Sequence, residues 1–479
     1  MIHMGGMFGV VSEKSCIDDL FYGTDYHSHL GTQYGGLAVL DGDKELIKVI
    51  QDIRNTPFRT KLGPHLDEFN SSQLGIGVIS DFDAQPRRVE SHLGTYGIAT
   101  VGVIKNSAEL AQEAFRRRSA HFTDTTKGEV NPTELVATLI NQEGKFTDGL
   151  VYAQEAIKGS CSILLLTQEG IYASRDKLGR TPLIVGRNEN GMVVASETCS
   201  FPNLDYEVNH FLGPGEIVLL NQEGMDQKEK PRDEMQVCSF LWVYYGYPAS
   251  EYEARNVEEV RYKCGAALAK LDNLEVDVVA GIPDSGTAHG LGYANARGIP
   301  FQRPFVKYTP TWPRSFMPQT QGERDEVARM KLIPIEKLIR GKSILFCEDS
   351  IVRGTQLRDT VKRLYQAGAA EVHMRPACPP LIHGCDYLNF SRSRALTDLA
   401  GIRAVHDLEG IPEDEEIPSA LLNIYSDHTS ESHLKMVDWI KNDLGLTSLK
   451  YQRLPDLIEA IDMPKDQLCT HCWDGTSYF

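Results

Sequence analysis

"SILFCEDSIVRGTQLRDTVKRL", residues 343–364, reads as a strand, a loop and a helix in that order. Ile344, Leu345, Phe346 and Cys347 form an apolar run that ends in two adjacent carboxylates, Glu348 and Asp349. A short loop leads to Gly354-Thr355 and then to a helical stretch. Adjacent acids at a strand end can accept hydrogen bonds from the vicinal hydroxyls of a ribose. The loop beyond them offers backbone N–H groups, the Thr355 hydroxyl and a helix N-terminus, a set that suits a phosphate dianion. Gly354 lets the loop fold tightly. An ordinary strand–turn–helix with two solvated acids is the plain alternative, but here acids, glycine and threonine coincide at one strand end.

Working outward, "VEEVRYKCGAALAKL" (257–271) reads as a helix, "VDVVAGIPDSG" (276–286) as a strand and loop, and "AEVHMRPACPP" (370–380) as a further strand. Helices alternating with apolar, β-branched strands indicate a parallel sheet with ligands at the carboxyl ends of its strands. The chain before about Lys230 has a different rhythm. "LGIGVIS" (74–80), "YGIATVGVI" (96–104), "CSILLLT" (161–167) and "GIYASRD" (170–176) are strand-like, whereas "SAELAQEAFRRRS" (107–119) and "NPTELVATLINQ" (131–142) carry helical spacing. Runs of strands with two helices inserted suggest an α+β layered sandwich. The polar stretch 220–236, with Pro231, marks a boundary. The tail from about Ala420 is helical and polar. The expected division is therefore 5–230, 231–420 and 421–479.

Composition sets the outer limits. The 479 residues suffice for two to four domains, and no apolar run approaches the roughly 20 residues of a membrane span. The first residues lack the basic and long apolar regions of a secretory signal. A formal net charge of −17 argues against general binding to nucleic acid or an anionic membrane. Ten cysteines without such a signal point to a reducing, cytoplasmic setting, where free thiols or metal ligation outweigh disulfides.

The segment at 343–364 resembles the PRPP-binding motif of type I phosphoribosyltransferases. Its surroundings narrow the resemblance to the amidophosphoribosyltransferase family. "VVAGIPDSGTAHGLGYANARGIPF" (278–301) is similar to that family's diphosphate loop, and "RDKLGRTPL" (175–183), "VVASETCSF" (193–201), "GPGEIVLL" (213–220) and "RMKL" (329–332) to other family segments. The resemblance implies an Ntn-hydrolase-like glutamine amidotransferase sandwich followed by an α/β phosphoribosyltransferase domain. It implies that PRPP binds with Mg²⁺, with Glu348 and Asp349 on the ribose hydroxyls and near the metal. Ser350, Ile351, Val352, Arg353, Gly354 and Thr355 would cradle the 5′-phosphate. Asp284 and Ser285 would lie beside the diphosphate, and a lid around 307–329 would close over the site. Ammonia is the expected nitrogen partner, and a homo-oligomer the expected assembly.

Cys469 and Cys472 form a CxxC that by itself suits zinc, redox chemistry or a cluster. By the resemblance, Cys238, Cys385, Cys469 and Cys472 match the four ligands of a [4Fe–4S] cluster in one branch of the family; four buried thiols are the plain alternative. Cys16, Cys161, Cys199, Cys264, Cys347 and Cys378 read as packing residues.

The N-terminal stretch "GGMFGVVSEK" (5–14) departs from the family. Where the family strand starts with a nucleophilic cysteine, this chain has Gly5. An Arg-Tyr pair that binds the glutamine carboxylate is replaced by Ser80-Asp81, and an oxyanion-hole Asn-Gly pair by Val101-Gly102. Pro132 stands in place of an amine-binding Asp, and the "HRGQ" turn reads His29-Leu30-Gly31-Thr32. Asn131 and Pro132 still make a helix cap and first turn. The expectation is an intact PRPP half and a degenerate glutaminase half. It would use free ammonia or ammonia from a partner glutaminase, or alternatively act as a PRPP-sensing pseudoenzyme beside an active paralogue.

Overall fold

Gly5–Ser12 is hydrophobic at successive positions because both of its faces are covered. Met7 and Val11 point between two sheets, while Phe8 and Val10 point outward beneath the helix Ile17–Asp25. Complete burial of such side chains contributes about 1.5–3 kcal/mol each. The computed structural model that shows this describes residues 5–476, apart from 43–44, 70, 117–121, 123–124, 127–128, 309–331, 386 and 389–397.

Gly5–Ser12 is the centre of a seven-stranded sheet in the order Glu207–Phe211, Ile184–Asn188, Gly191–Ala195, Gly5–Ser12, Leu74–Ser80, Tyr34–Leu40, Leu46–Asp52. Its neighbours on both sides are antiparallel. A six-stranded antiparallel sheet lies against it, ordered Gly224–Glu229, Ile217–Asn221, Gly170–Ser174, Gly159–Thr167, Gly94–Ile104, Arg87–Ser91. Met7, Val11, Ile76, Val78, Ala99 and Leu164 fill the layer between the sheets. On the far face of the second sheet, Leu135, Leu139 and Leu150 pack against Tyr96, Ile98 and Leu165. The result is helix, sheet, sheet, helix.

Three helices here go beyond the two that spacing suggests: Ile17–Asp25, Phe58–Leu62 and Phe146–Ala156. The last contains Gly149, a poor helix residue in isolation. A Cβ there would stand 2.4 Å from the Ile140 carbonyl oxygen, so the glycine serves a close helix contact.

The second half is built on a parallel sheet ordered Val278–Gly281, Ser343–Glu348, Glu371–Pro376, Ser448–Leu449. Ile344, Leu345, Phe346 and Cys347 are fully buried, as an internal parallel strand requires. The helices Val257–Lys270 and Thr287–Arg297 cross at near backbone contact; a Cβ on Gly265 would lie 1.9 Å from the His289 oxygen. The tail returns twice. Ser448–Leu449 is the sheet's edge strand, and Leu468–Cys469 pairs in parallel with Val237–Cys238. Among the described residues no helix is long and apolar enough to cross a membrane.

Candidate active site

Ser343–Glu348 lies inside the parallel sheet, so its carboxyl end opens at the edge where such sheets bind ligands. Asp349 is buried and accepts a bond from the Ser350 hydroxyl at 2.5 Å. Glu348 receives the Ser285 hydroxyl at 3.2 Å and the Asp349 N–H at 3.3 Å, both on Oε1. Burial and the neighbouring Asp349 carboxylate push the Glu348 pKa well above its ordinary value. The structure thus brings Ser285, from the loop after Val278–Gly281, to the acidic pair. The two loops are locked together, since the Ile282 N–H donates to the Cys347 carbonyl at 3.0 Å. Gly286 permits this approach, because a Cβ would sit 2.3 Å from that oxygen. Asp284 is exposed and pairs with Lys307 at 2.7 Å, a contact that solvent screens heavily.

Beyond the acids, the loop is held from behind. The Val352 carbonyl accepts from the Ala400 N–H and the Arg353 carbonyl from Arg403, each at 2.8 Å. In trans peptides the N–H opposes the C=O, so the amides of Arg353 and Gly354 turn the other way. Gly354, at φ +76°, opens the twelve-residue helix Thr355–Gln366. Its Cβ would meet Leu444 at 3.1 Å, in a conformation that L side chains rarely adopt. Lys307 is the described start of the expected lid; residues 309–331 lie outside the described residues.

A second strand end lies at the other site. Gly5 pairs with Ser80 across the central strands and lines a cavity of about 30 Å³ with Phe82, Asp83, Val101, Pro132 and Cys161. A Cβ on Gly5 would stand 2.6 Å from the Ile79 oxygen and 3.2 Å from a Val101 methyl. Asp81 turns toward the 29–32 turn, accepting from the Thr32 N–H at 2.5 Å and its hydroxyl at 2.8 Å. Asn131 caps the helix Pro132–Ile140 through Glu134 N–H at 3.0 Å, as its sequence suggests. Gly102 has φ +144°, and a Cβ there would collide with the Ser160 oxygen at 1.8 Å.

Comparison with known proteins gives the family. A family model described as "Glutamine amidotransferase domain" matches residues 72–203. Amidophosphoribosyltransferase of Bacillus subtilis is 30% identical over 391 residues, 80% of each chain. That of Methanocaldococcus jannaschii is 30% identical over 417 residues, covering 80% of this chain and 86% of its own. The chain belongs to the amidophosphoribosyltransferase family. A solved glutamine PRPP amidotransferase from B. subtilis, complexed with ADP and GMP, superposes with a TM-score of 0.82 at 26% identity, over 99% of this chain and 97% of that one. The amidophosphoribosyltransferase architecture agrees with the expected fold class, antiparallel sandwich first and parallel sheet second.

Of the cysteines expected to bind a cluster, Cys238, Cys385 and Cys469 lie near one another at the join between the halves. Cys238 and Cys469 stand opposite each other in the two-stranded parallel ribbon. Burial, then Cys469 and Cys385, raise the Cys238 thiol well above its ordinary pKa. The Cys472 carbonyl accepts from the Ile382 and His383 N–H groups, each at 3.2 Å. Among the described residues, no three His, Cys, Asp or Glu side chains are placed to hold a metal ion. The six other cysteines are buried.

Sequence reading passed over Glu197. It is buried in the first half, yet it accepts from Tyr252, from the Ser250 hydroxyl at 3.1 Å, and pairs with His29 at 2.9 Å. Burial alone would raise its pKa, but His29, His27 and the Tyr252 hydroxyl hold it down to about 2. Arg261 was also missed; its guanidinium donates to the Trp242, Tyr244 and Gly246 carbonyls at 2.9–3.1 Å. A charged residue in an otherwise apolar helix face was the one available signal.

Proposed function

We propose that this chain condenses ammonia with PRPP to give 5-phosphoribosylamine and diphosphate, the first step of purine biosynthesis, and that its N-terminal half no longer hydrolyses glutamine. The observation that carries the reading is the contrast between an acid-bearing strand end at Glu348 and a side-chain-free one at Gly5. Relatives named amidophosphoribosyltransferase support the first part. We divide the chain into a sandwich at 5–230, a transferase domain at 231–420 and a tail at 421–479 that lends the transferase its edge strand.

In this reading the ribose hydroxyls donate to Glu348 and Asp349. The amides of Ser350, Ile351, Val352, Arg353, Gly354 and Thr355, with the Thr355 hydroxyl, hold the 5′-phosphate at the helix N-terminus. Asp284 and Ser285 lie beside the diphosphate. Adjacent carboxylate oxygens suit a hard cation, so Glu348 and Asp349 fit Mg²⁺ arriving with the substrate. When bound, Mg²⁺ neutralises charge on the leaving diphosphate. Ammonia attacks C1 as the diphosphate leaves, and exclusion of water protects the oxocarbenium-like state.

Glutamine hydrolysis needs a nucleophile, and none can stand at Gly5 without displacing the Ile79 carbonyl or Val101. Val101 offers no amide to an oxyanion, a loss of about 10²–10³ in rate by itself. The cavity of about 30 Å³ is far below the roughly 300–1,000 Å³ of small-molecule sites.

The same proposal assigns a [4Fe–4S] cluster to Cys238, Cys385, Cys469 and Cys472. Support comes from the donor chemistry and from the register that sets Cys238 against Cys469. A four-iron cluster spaces its thiolates more widely than a single ion does, so these thiols need not converge on one point. Bound there, it would clamp the tail to the join between the halves. Anaerobically purified protein should be brown, with about four iron per chain, and Cys238→Ser should bleach it; stoichiometric zinc without iron would refute the assignment.

Diphosphate release from PRPP tests the main reading. Ammonium chloride at alkaline pH should support it and glutamine should not, with no glutamate formed. Silence with both donors would favour a PRPP sensor acting beside an active paralogue.

A further inference from the structure

Arg180 belongs to the sandwich, a few residues beyond the strand Gly170–Ser174, and its side chain is wholly buried. A guanidinium taken out of water is costly unless anionic or aromatic groups meet it. Its contacts lead across the join between the halves. Nη1 donates to the Gly159 carbonyl at 3.2 Å. The guanidinium carbon lies 3.8 Å from the centroid of the Tyr387 ring, and Tyr387 follows Cys385 by two residues. Tyr387 meets the His471 ring edge-on at 5.2 Å, between Cys469 and Cys472. Arg180 also donates to the Cys469 sulfur. The backbone holds this register, since the Gln236 N–H donates to the Leu178 carbonyl at 2.7 Å.

The sulfurs around it are presented as acceptors. The Leu388 N–H donates to Cys385 Sγ at 3.3 Å, and the Phe240 and His471 N–H groups donate to Cys238 and Cys469. Burial raises the pKa values of both Cys238 and Cys469, and the Arg180 charge opposes that rise at each. Donors aimed at sulfur favour the thiolate, which is the form that holds iron. Thiolates around a [4Fe–4S] core carry net negative charge, which grows on reduction and shrinks on oxidation. Backbone amides answer that charge with dipoles. Arg180 adds a full positive charge to the set.

We propose that Arg180 is the counter-charge of the cysteine cage, a sandwich side chain that raises the reduction potential of a cluster held by Cys238, Cys385, Cys469 and Cys472. It ligates no iron and acts through Cys469, as a positioning residue. The inference rests on the cluster assignment. It gives the sandwich a part in a site whose ligands all come later in the chain.

The test uses the anaerobically purified full chain beside Arg180→Leu, which removes the charge and brings no new donor, and Arg180→Lys, which keeps the charge without the planar fork. Net charge and hydrogen bonds to sulfur help to set a cluster's potential. A potentiometric titration followed by electron paramagnetic resonance should therefore place the Leu midpoint below that of the wild type, with Lys returning toward it. Dissolved oxygen, a neutral oxidant, should bleach the Leu variant severalfold faster and the Lys variant at close to the wild-type rate. Should Arg180→Leu purify without iron, Arg180→Gln, uncharged and closer in length, takes its place. A chelator under argon reads how firmly the cage keeps its iron, whatever the charge. Faster loss to the chelator with an unmoved midpoint would make Arg180 a packing residue and overturn the proposal. So would a neutral variant that matches the wild type in midpoint and in bleaching by oxygen. A brown protein with either result leaves the cluster assignment standing, whereas a colourless wild-type protein would remove that assignment and this role with it.

Discussion

Gly5 opens one internal, covered strand and Glu348 closes another, and both strands are apolar for the same reason. The chemistry at the two strand ends differs. Beyond Ser343–Glu348 come two carboxylates, a serine from a neighbouring loop, and amides turned forward by bonds behind the loop. At Gly5 there is no side chain, a methyl of Val101 faces it, and the nearby Asp81 is consumed by the Thr32 turn. Scaffold and site are separable: the sandwich keeps its layers, its Asn131 cap and its glycine contacts with no side chain at Gly5.

The largest expected effect falls on the acidic end. A Glu348→Ala, Asp349→Ala double change should abolish PRPP binding by calorimetry, since two charge-assisted bonds at about 1.5–3 kcal/mol each amount to roughly 10²–10⁴ in affinity. Binding that survives it would erase the contrast. On the other side, Gly5→Cys should not restore glutaminase activity, because groups of one catalytic unit fail together. It should also lower stability by about 1–3 kcal/mol through overpacking against the Ile79 carbonyl and Val101. Denaturant unfolding checks the second claim, and a glutamate assay the first.

Smaller effects sharpen the comparison. Asn131→Ala removes the cap that survives beside the altered pocket and should cost about 1 kcal/mol. Thermal unfolding of the variant reads it directly. The last effect concerns pH. The Glu348 pKa is raised in the folded chain, so the folded state holds that proton more tightly than the unfolded one. Its stabilising contribution is therefore present at low pH and declines as pH climbs above the unfolded value of about 4.3 toward the folded one. Glu348→Gln should thus gain on the wild type in melting midpoint as pH rises above about 4.3, while losing PRPP affinity. A midpoint difference that stays flat with pH would contradict this.

Much of the molecule is legible in the sequence where one local signal decides the outcome. Ile344–Leu345–Phe346–Cys347 announces a buried strand, and Asn131-Pro132 a helix start. The features that escaped depend on partners distant in the chain. Gly149 weakens the helical pattern of its own segment and makes sense only beside Ile140 of the preceding helix. Glu197 looks like a surface acid until Tyr252 and Ser250, more than fifty residues on, close over it.

The edge strand Ser448–Leu449 also has a consequence for synthesis. Every strand of the two sandwich sheets lies between residues 5 and 229, so that unit can close while the ribosome is still making the rest. The parallel sheet cannot. Until residue 449 emerges, Glu371–Pro376 presents an open edge, and the ribbon joining Val237–Cys238 waits longer still, for Leu468–Cys469. The half that carries the acidic pair is therefore the half whose nascent form stays exposed longest to strand pairing with other chains, and the one for which a truncated message would be most harmful.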